Sequence, residues 1–368
     1  MFTCVYNAAR LQFRDKPATL GSSMAEEIGM KSKAIFVVAL LLCCSMAVFA
    51  QEGGEGRGGR GGGRGGRGPA APPKMDMVTP DVPGIVKAGT KIEIVKYGLG
   101  GDDAGVGMPD GSVLISTGGG VGKVDTSGNL TMLVANAEQA AGLEMDSKGQ
   151  IYAAQYSKKV SIVYPMDAAK TLTDSFDGKP YIRPNDLTVD KKGGVYFTDC
   201  YQVGAKKEPG DLPQSVYYIK PDHKTVIRVT DEIARPNGIT LSPNEKILYV
   251  NDWDGPYLIA FDVQPDGTLK NKRNFGKYTL KQETDHGLVS GADGLCIDSK
   301  SDLYSTTPAG VQVFNSKGEH LADLEAPYPM PPQNCGFGGP NKHYLYVIGR
   351  GVVYRIETIP AGYKGRAK

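Results

Sequence analysis

Histidine and tryptophan are scarce in this chain, with four and one among 368 residues. No pair of cysteines is spaced Cys-x-x-Cys, and the serine elbow Gly-x-Ser-x-Gly does not occur. The first absence removes the usual zinc-knuckle and dithiol-redox frameworks, and the second removes a hydrolase built on an elbow serine. Charge of one sign is also missing: 42 basic residues face 40 acidic ones, a net of +2. That balance gives the folded part no electrostatic reason to bind nucleic acid or an acidic membrane. Of six cysteines, Cys4, Cys43 and Cys44 lie at the front of the chain, which leaves Cys200, Cys296 and Cys335 for the globular part. An odd number cannot all pair, and the simplest expectation is that these three serve as small buried side chains.

What is present begins with targeting signals. Residues 1–29 are polar, mixed and aperiodic, and read as a leader or as a start assigned too early, with Met30 as the true start. From Met30, a basic start (Lys31, Lys33) leads into an apolar run over residues 34–50 that ends in Ala47-Val48-Phe49-Ala50. This pattern predicts a signal peptide over residues 30–50, cut after Ala50, and no stable membrane span after cleavage. The expected destination is the periplasm or the extracellular space. Residues 51–89 contain GGEGRGGRGGGRGGRG and a Pro/Ala cluster, and are expected to form a disordered Gly/Arg- and Pro-rich linker. A globular domain is then expected over residues 90–360.

That domain repeats itself. Six segments start at Asp103, Ala141, Asn185, Asn237, Asp293 and Asn334, and each runs through an apolar strand, a turn and a second strand. Eight residues after each start stands a turn residue: Gly111, Gly149, Gly193, Glu245, Ser301 and Lys342. The third repeat shows four β-rich runs: LTVD, VYFTD, SVYYIK and TVIRVT. Four-stranded units recurring at this period predict an all-β fold, a six-bladed β-propeller. The sixth repeat ends after three strands. KIEIVKY at residues 91–97 is the natural fourth, so the first strand of the domain is expected to close the last blade.

Inner strands of a propeller line one axial channel, so the six starts should converge at its mouth. Five of the six are Asp or Asn, a set of oxygens that suits a hard divalent cation. The lack of His and Cys among them argues against a soft metal. Turn capping also explains single Asx residues, although not the same class around one axis.

The motifs RPNDLTVDKKGGVYFTD, RPNGITLSPNEKILYVND, ADGLCIDSKSDLY and NCGFGG resemble, in order, the blade motifs of the gluconolactonase/senescence-marker-protein (regucalcin) family over about residues 90–358. The resemblance implies that Asp103, Asn237 and Asp293 bind a divalent metal, with calcium first and zinc, magnesium or manganese as alternatives. It further implies that Asn185 and Arg183 contact the substrate. Where the family carries Glu on blade 1, this chain has Asp103-Ala104-Gly105, and neighbouring Asp102 is an alternative ligand. His286, on the loop before Asp293, and Asp199, at the end of a blade-3 strand, are further candidates for the channel mouth. Trp253 reads as packing.

The implied activity is hydrolysis of a lactone, a small sugar lactone first, by water activated at the metal with Asp293 as general base. A non-catalytic exported propeller that binds sugars or cell-surface partners is the rival expectation.

Overall fold

The computed structural model describes residues 72–100 and 103–366; the leader, the signal sequence, the linker through residue 71 and Asp102 lie outside the described residues. Six four-stranded antiparallel sheets follow one another as blades. Their innermost strands are Gly105–Gly107, Ala140–Met145, Pro184–Val189, Pro236–Leu241, Leu295–Ile297 and Asn334–Gly338, for blades 1 to 6. The sixth sheet is completed by Ile92–Tyr97, which pairs antiparallel with Val352–Glu357, Ile92 opposite Ile356. The first strand of the domain therefore closes its last blade, as the missing fourth run predicts.

The strands are apolar on both faces because each sheet is packed between two others. In Val195–Asp199 of blade 3, Val195 and Phe197 pack with blade 2, while Tyr196 turns to blade 4. The same alternation repeats around the ring, so the core is six wedges, one between each pair of neighbouring blades. The second strands of blades 2 to 6 place Tyr152, Tyr196, Tyr249, Tyr304 and Tyr346 at one equivalent position, all buried. Cys200, Cys296 and Cys335 are buried as well, with the sulfurs of the last two 2.8 Å apart between blades 5 and 6. Burial pushes the Cys200 thiol up to about 12.

All six turn residues have left-handed backbones, with φ 85° at Gly111, 80° at Gly149, 87° at Gly193, 58° at Glu245, 70° at Ser301 and 59° at Lys342. The Asx residue that opens such a turn caps it. Asp146, Asp190 and Asp298 each accept two backbone amides through Oδ1.

Two boundaries differ from expectation. Residues 72–89, expected within the linker, are folded onto the propeller. Val82, Ile85 and Val86 are buried in the wedge between blades 5 and 6, and the Ile92 amide donates to Met77 O at 2.9 Å. Three apolar anchors outweigh a Pro/Gly-rich composition here. The chain beyond residue 360 also packs. The Ser299 amide donates to Ala361 O and the Gly362 amide to Lys342 O, both at 2.8 Å. The guanidinium of Arg366 is buried and donates to Leu241 O and Ser242 O. This tail lies at the turn end of the inner strands, and the Asx ring lies at their other end.

Candidate functional site

Asp103, Asn185, Asn237 and Asp293 all stand where an inner strand begins, on blades 1, 3, 4 and 5. The main chains of Asp103, Asn237 and Asp293 are pinned by a polar residue near the end of a second strand. Ser116 Oγ accepts the Asp103 amide at 3.2 Å. Thr198 Oγ1 donates to Asn237 O at 2.8 Å, Asn251 Nδ2 to Asp293 O at 2.7 Å, and Thr306 Oγ1 to Gln333 O at 2.9 Å. Each of the last three latches runs from one blade to the next, so neighbouring blades fix one another's ring residues.

The same latch corrects the register of blade 6: its ring position is held by Gln333, and Asn334 sits one step further along the strand. Asn334 Oδ1 accepts the Cys335 amide just as Asp186 Oδ1 accepts that of Leu187, each at 2.9 Å. A side chain at Gly142 would strike Asp186, and one at Gly294 would strike Asn334. Asp186 and Asn334 thus form a second layer beneath the ring. Blade 2 has only Ala141 in the ring, and Tyr156 from its next loop fills that sector by donating its hydroxyl to Asp103 Oδ2.

The ring is polar, largely buried and short of partners. Asn237 is 6% exposed, and its Oδ1 has no hydrogen-bond donor. A buried amide oxygen without a donor is costly, and a cation would satisfy it. Burial holds the Asp293 carboxyl well above the ordinary carboxylate range, and the nearby Asp103 charge raises it further. Burial raises Asp103 too, opposed by the Tyr156 hydroxyl and by the charge of Arg183. These oxygens therefore fit a divalent ion held by Asp103, Asn237 and Asp293, whose charge would relieve both carboxylates at once. They are not the Asx residues that cap turns, which occupy the opposite end of the strands. Among the described residues no three His, Cys, Asp or Glu side chains gather as a metal-binding cluster; the candidate set is two carboxylates and an amide.

Arg183 is half-buried and stacks over the Tyr156 ring, its guanidinium carbon 3.1 Å from the centroid. Its amide, with that of Ile182, is held by Asp199 at 2.6 and 2.9 Å. Asp199 thus braces the loop that carries Arg183 and does not line the mouth: it is fully buried with both oxygens engaged, and burial lifts its pKa to about 6. Asp252 does the same for Arg235 on blade 4. His286 is exposed on the small hairpin Gln282–Thr284/Gly287–Val289, where its amide bonds Thr284 Oγ1. Trp253 lies beside Arg235, 5.2 Å from ring centroid to guanidinium carbon. Tyr156, Gln333 and Arg350 escape a reading by repeats because they stand on connections or beside a lengthened turn. The polar latch, in contrast, is visible as the T, N and T of VYFTD, ILYVND and LYSTT. A cavity of about 600 Å³ between blades 3 and 4, lined by Tyr196, Tyr218, Asp190 and Glu245, contains no ring residue.

Residues 116–349 match the SMP-30/gluconolactonase/LRE-like region. A gluconolactonase of Zymomonas mobilis is 28% identical over 225 residues, 59% of this chain and 62% of that protein. The lactonase drp35 of Staphylococcus haemolyticus is 34% identical over 145 residues, 39% of this chain and 42% of that protein. The matches thus span about three fifths and two fifths of those relatives. Among solved structures, a gluconolactonase from Xanthomonas campestris superimposes with a TM-score of 0.63 at 26% identity, covering 79% of this chain and 98% of that one. A calcium-binding regucalcin from Agrobacterium tumefaciens shares the fold, with a TM-score of 0.61 at 16% identity over 75% of this chain and 98% of its own.

Proposed function

The chain belongs to the SMP-30/gluconolactonase/LRE-like family, and from that membership and the oxygen ring we propose that it is a metal-dependent hydrolase that opens a small sugar lactone to its hydroxy acid. The observation that carries the reading is the buried Asn237 Oδ1 without a donor, set between two carboxylates that burial disfavours in their charged form. A bound divalent ion, calcium first, supplies Lewis-acid polarisation of the ester carbonyl and lowers the pKa of water.

The chain's own groups do the rest. Asp293, the ring carboxylate at the start of blade 5's inner strand, would accept a proton from the attacking water. The tetrahedral carbon then collapses, the ring C–O bond breaks, and the alkoxide takes back a proton to leave a hydroxy acid. Tyr156 fixes the rotamer of Asp103. Asn185 and Arg183 stand where substrate hydroxyls or carbonyl oxygens would be received. The apolar wedges behind the ring keep its main chain from relaxing, so the oxygens are preorganised.

Paired variants test this. Asp293→Asn should lose turnover by about 10²–10⁴-fold while keeping an oxygen at the site. Asn237→Ala should weaken metal affinity, with activity recovering at high metal concentration. Metal calorimetry run beside lactone hydrolysis separates the two, and full activity of Asp293→Asn at saturating metal would remove Asp293 from the chemistry. Residues 30–50 support export as part of the same proposal, and amino-terminal sequencing of the mature protein, with Gln51 as the expected first residue, tests it.

A further inference from the structure

Two arginines stand near the ring. Arg183 is clamped over Tyr156 and braced through its amide by Asp199. Arg350 is exposed in the tight turn after Tyr344–Gly349, with its amide donated to Oε1 of Gln333, the blade-6 ring residue. Neither arginine makes an ion pair among the described residues. Arg235 shows the contrast. It stands two residues before Asn237, as Arg183 stands before Asn185, and it is spoken for by Asp254 at 2.9 Å and Tyr201 O at 3.2 Å.

Among the described residues, the charges around the ring do not cancel once a divalent ion is counted. Three carboxylates, Asp103, Asp186 and Asp293, meet two guanidiniums, and the fields of Arg183 and Arg350 reach both ring carboxylates. A divalent ion leaves one positive charge in excess. A half-buried guanidinium held in place without a counter-ion favours an anion that arrives with the ligand. A neutral sugar lactone offers none.

We propose that the lactone opened at this site carries a carboxylate of its own, as a sugar diacid lactone does, and that Arg183 and Arg350 receive it. The proposal rests on the lactonase reading and specifies its substrate class. It implies a product with two carboxylates, and a preceding reaction that oxidises a sugar at both ends.

The test compares D-glucono-1,4-lactone with D-glucaro-1,4-lactone, which share ring size and configuration and differ in a hydroxymethyl against a carboxylate. The full-length chain should prefer the glucarolactone in kcat/KM, and the preference should shrink as salt rises. Arg350→Gln, at an exposed turn, should lower the ratio of the two kcat/KM values by about 10- to 100-fold, the worth of a hydrogen bond to a charged group. Arg350→Lys should recover part of it. Equal rates on the two lactones, or a ratio that Arg350→Gln leaves alone, would overturn the proposal while the lactonase reading stands. Calorimetry with glucarate and gluconate gives a readout apart from turnover. If neither lactone is opened with any metal, the lactonase reading fails, and tighter binding of glucarate that weakens in Arg350→Gln would still uphold the anion site. Equal binding of the two acids would end it.

Discussion

Replacing Asp298 with asparagine should make the protein more stable at alkaline pH and leave it nearly unchanged in strong acid. Asp298 opens the capped turn of blade 5 and is fully buried. Its Oδ1 accepts the amides of Lys300 and Asp302 at 2.8 and 2.9 Å, and Oδ2 accepts the Tyr304 hydroxyl at 3.2 Å. Burial, helped by the Asp302 charge, lifts its pKa from 3.8 to about 6. A carboxyl with a raised folded pKa holds its proton more tightly in the native state. Its contribution is therefore complete below pH 4 and is lost as the pH climbs through 6. Two pKa units correspond to about 3 kcal/mol. Asparagine keeps the oxygen that caps the turn and turns an NH₂ toward Tyr304, whose hydroxyl accepts as well as donates. Urea unfolding of both proteins at pH 4.5, 6 and 8 reads the effect. The variant should exceed wild type by about 1 kcal/mol at pH 4.5 and by up to about 3 kcal/mol at pH 8, with unchanged m. Because the difference between two proteins is taken at each pH, other buried acids such as Asp199 drop out. A difference that stays flat with pH, or that favours wild type at pH 8, refutes the reasoning.

Closure of the ring should depend on packing more than on charge. Ile92→Ala, at a position 1% exposed, should cost about 2–5 kcal/mol by urea melt. Glu93→Gln, which breaks the partly exposed 2.7 Å pair with Arg355, should cost under about 1 kcal/mol. Gly142→Ala would place a Cβ 2.5 Å from Asp186 Cα and 2.8 Å from Asn185 O. It should lose about 1–3 kcal/mol by thermal melt, and turnover should fall with it because the blade-3 ring position is displaced. Asp199→Ala strands the amides of Ile182 and Arg183. In steady-state kinetics it should raise KM more than it lowers kcat.

The blade count, the closing strand and five of the six ring positions were legible because they follow from local rules. Short β-rich runs, left-handed turn residues and a sixth repeat one strand short leave little freedom once a ring must close. Counting forward from each repeat start failed only at Asn334. There a 3₁₀ turn at Pro340–Lys342 lengthens the connection to the second strand, so a fixed offset from Lys342 overshoots Gln333 by one residue. Asp199 carried the right residue type for a pocket, but its oxygens bond back to amides of its own blade, which only three-dimensional geometry reveals. Arg350 and Tyr156 belong to connections whose lengths vary from blade to blade, and nothing periodic marks them. The folded stretch before Thr90 was hidden by Pro80, Pro83, Gly84 and Gly89. Composition reported the turns and missed the three side chains that anchor them.

The pairing of Ile92 with Ile356 has a consequence for the order of events in synthesis. The first strand of the domain to leave the ribosome waits for the last blade before it finds its place. Local hairpins within blades 1 to 5 can form as they emerge, but the strand Ile92–Tyr97 and the edge awaiting it in blade 6 meet only once Val352–Glu357 has been made. A machine that threads the polypeptide from its amino end would therefore handle an open array of blades. Completion of the sixth blade, rather than the start of the first, decides when the circle locks.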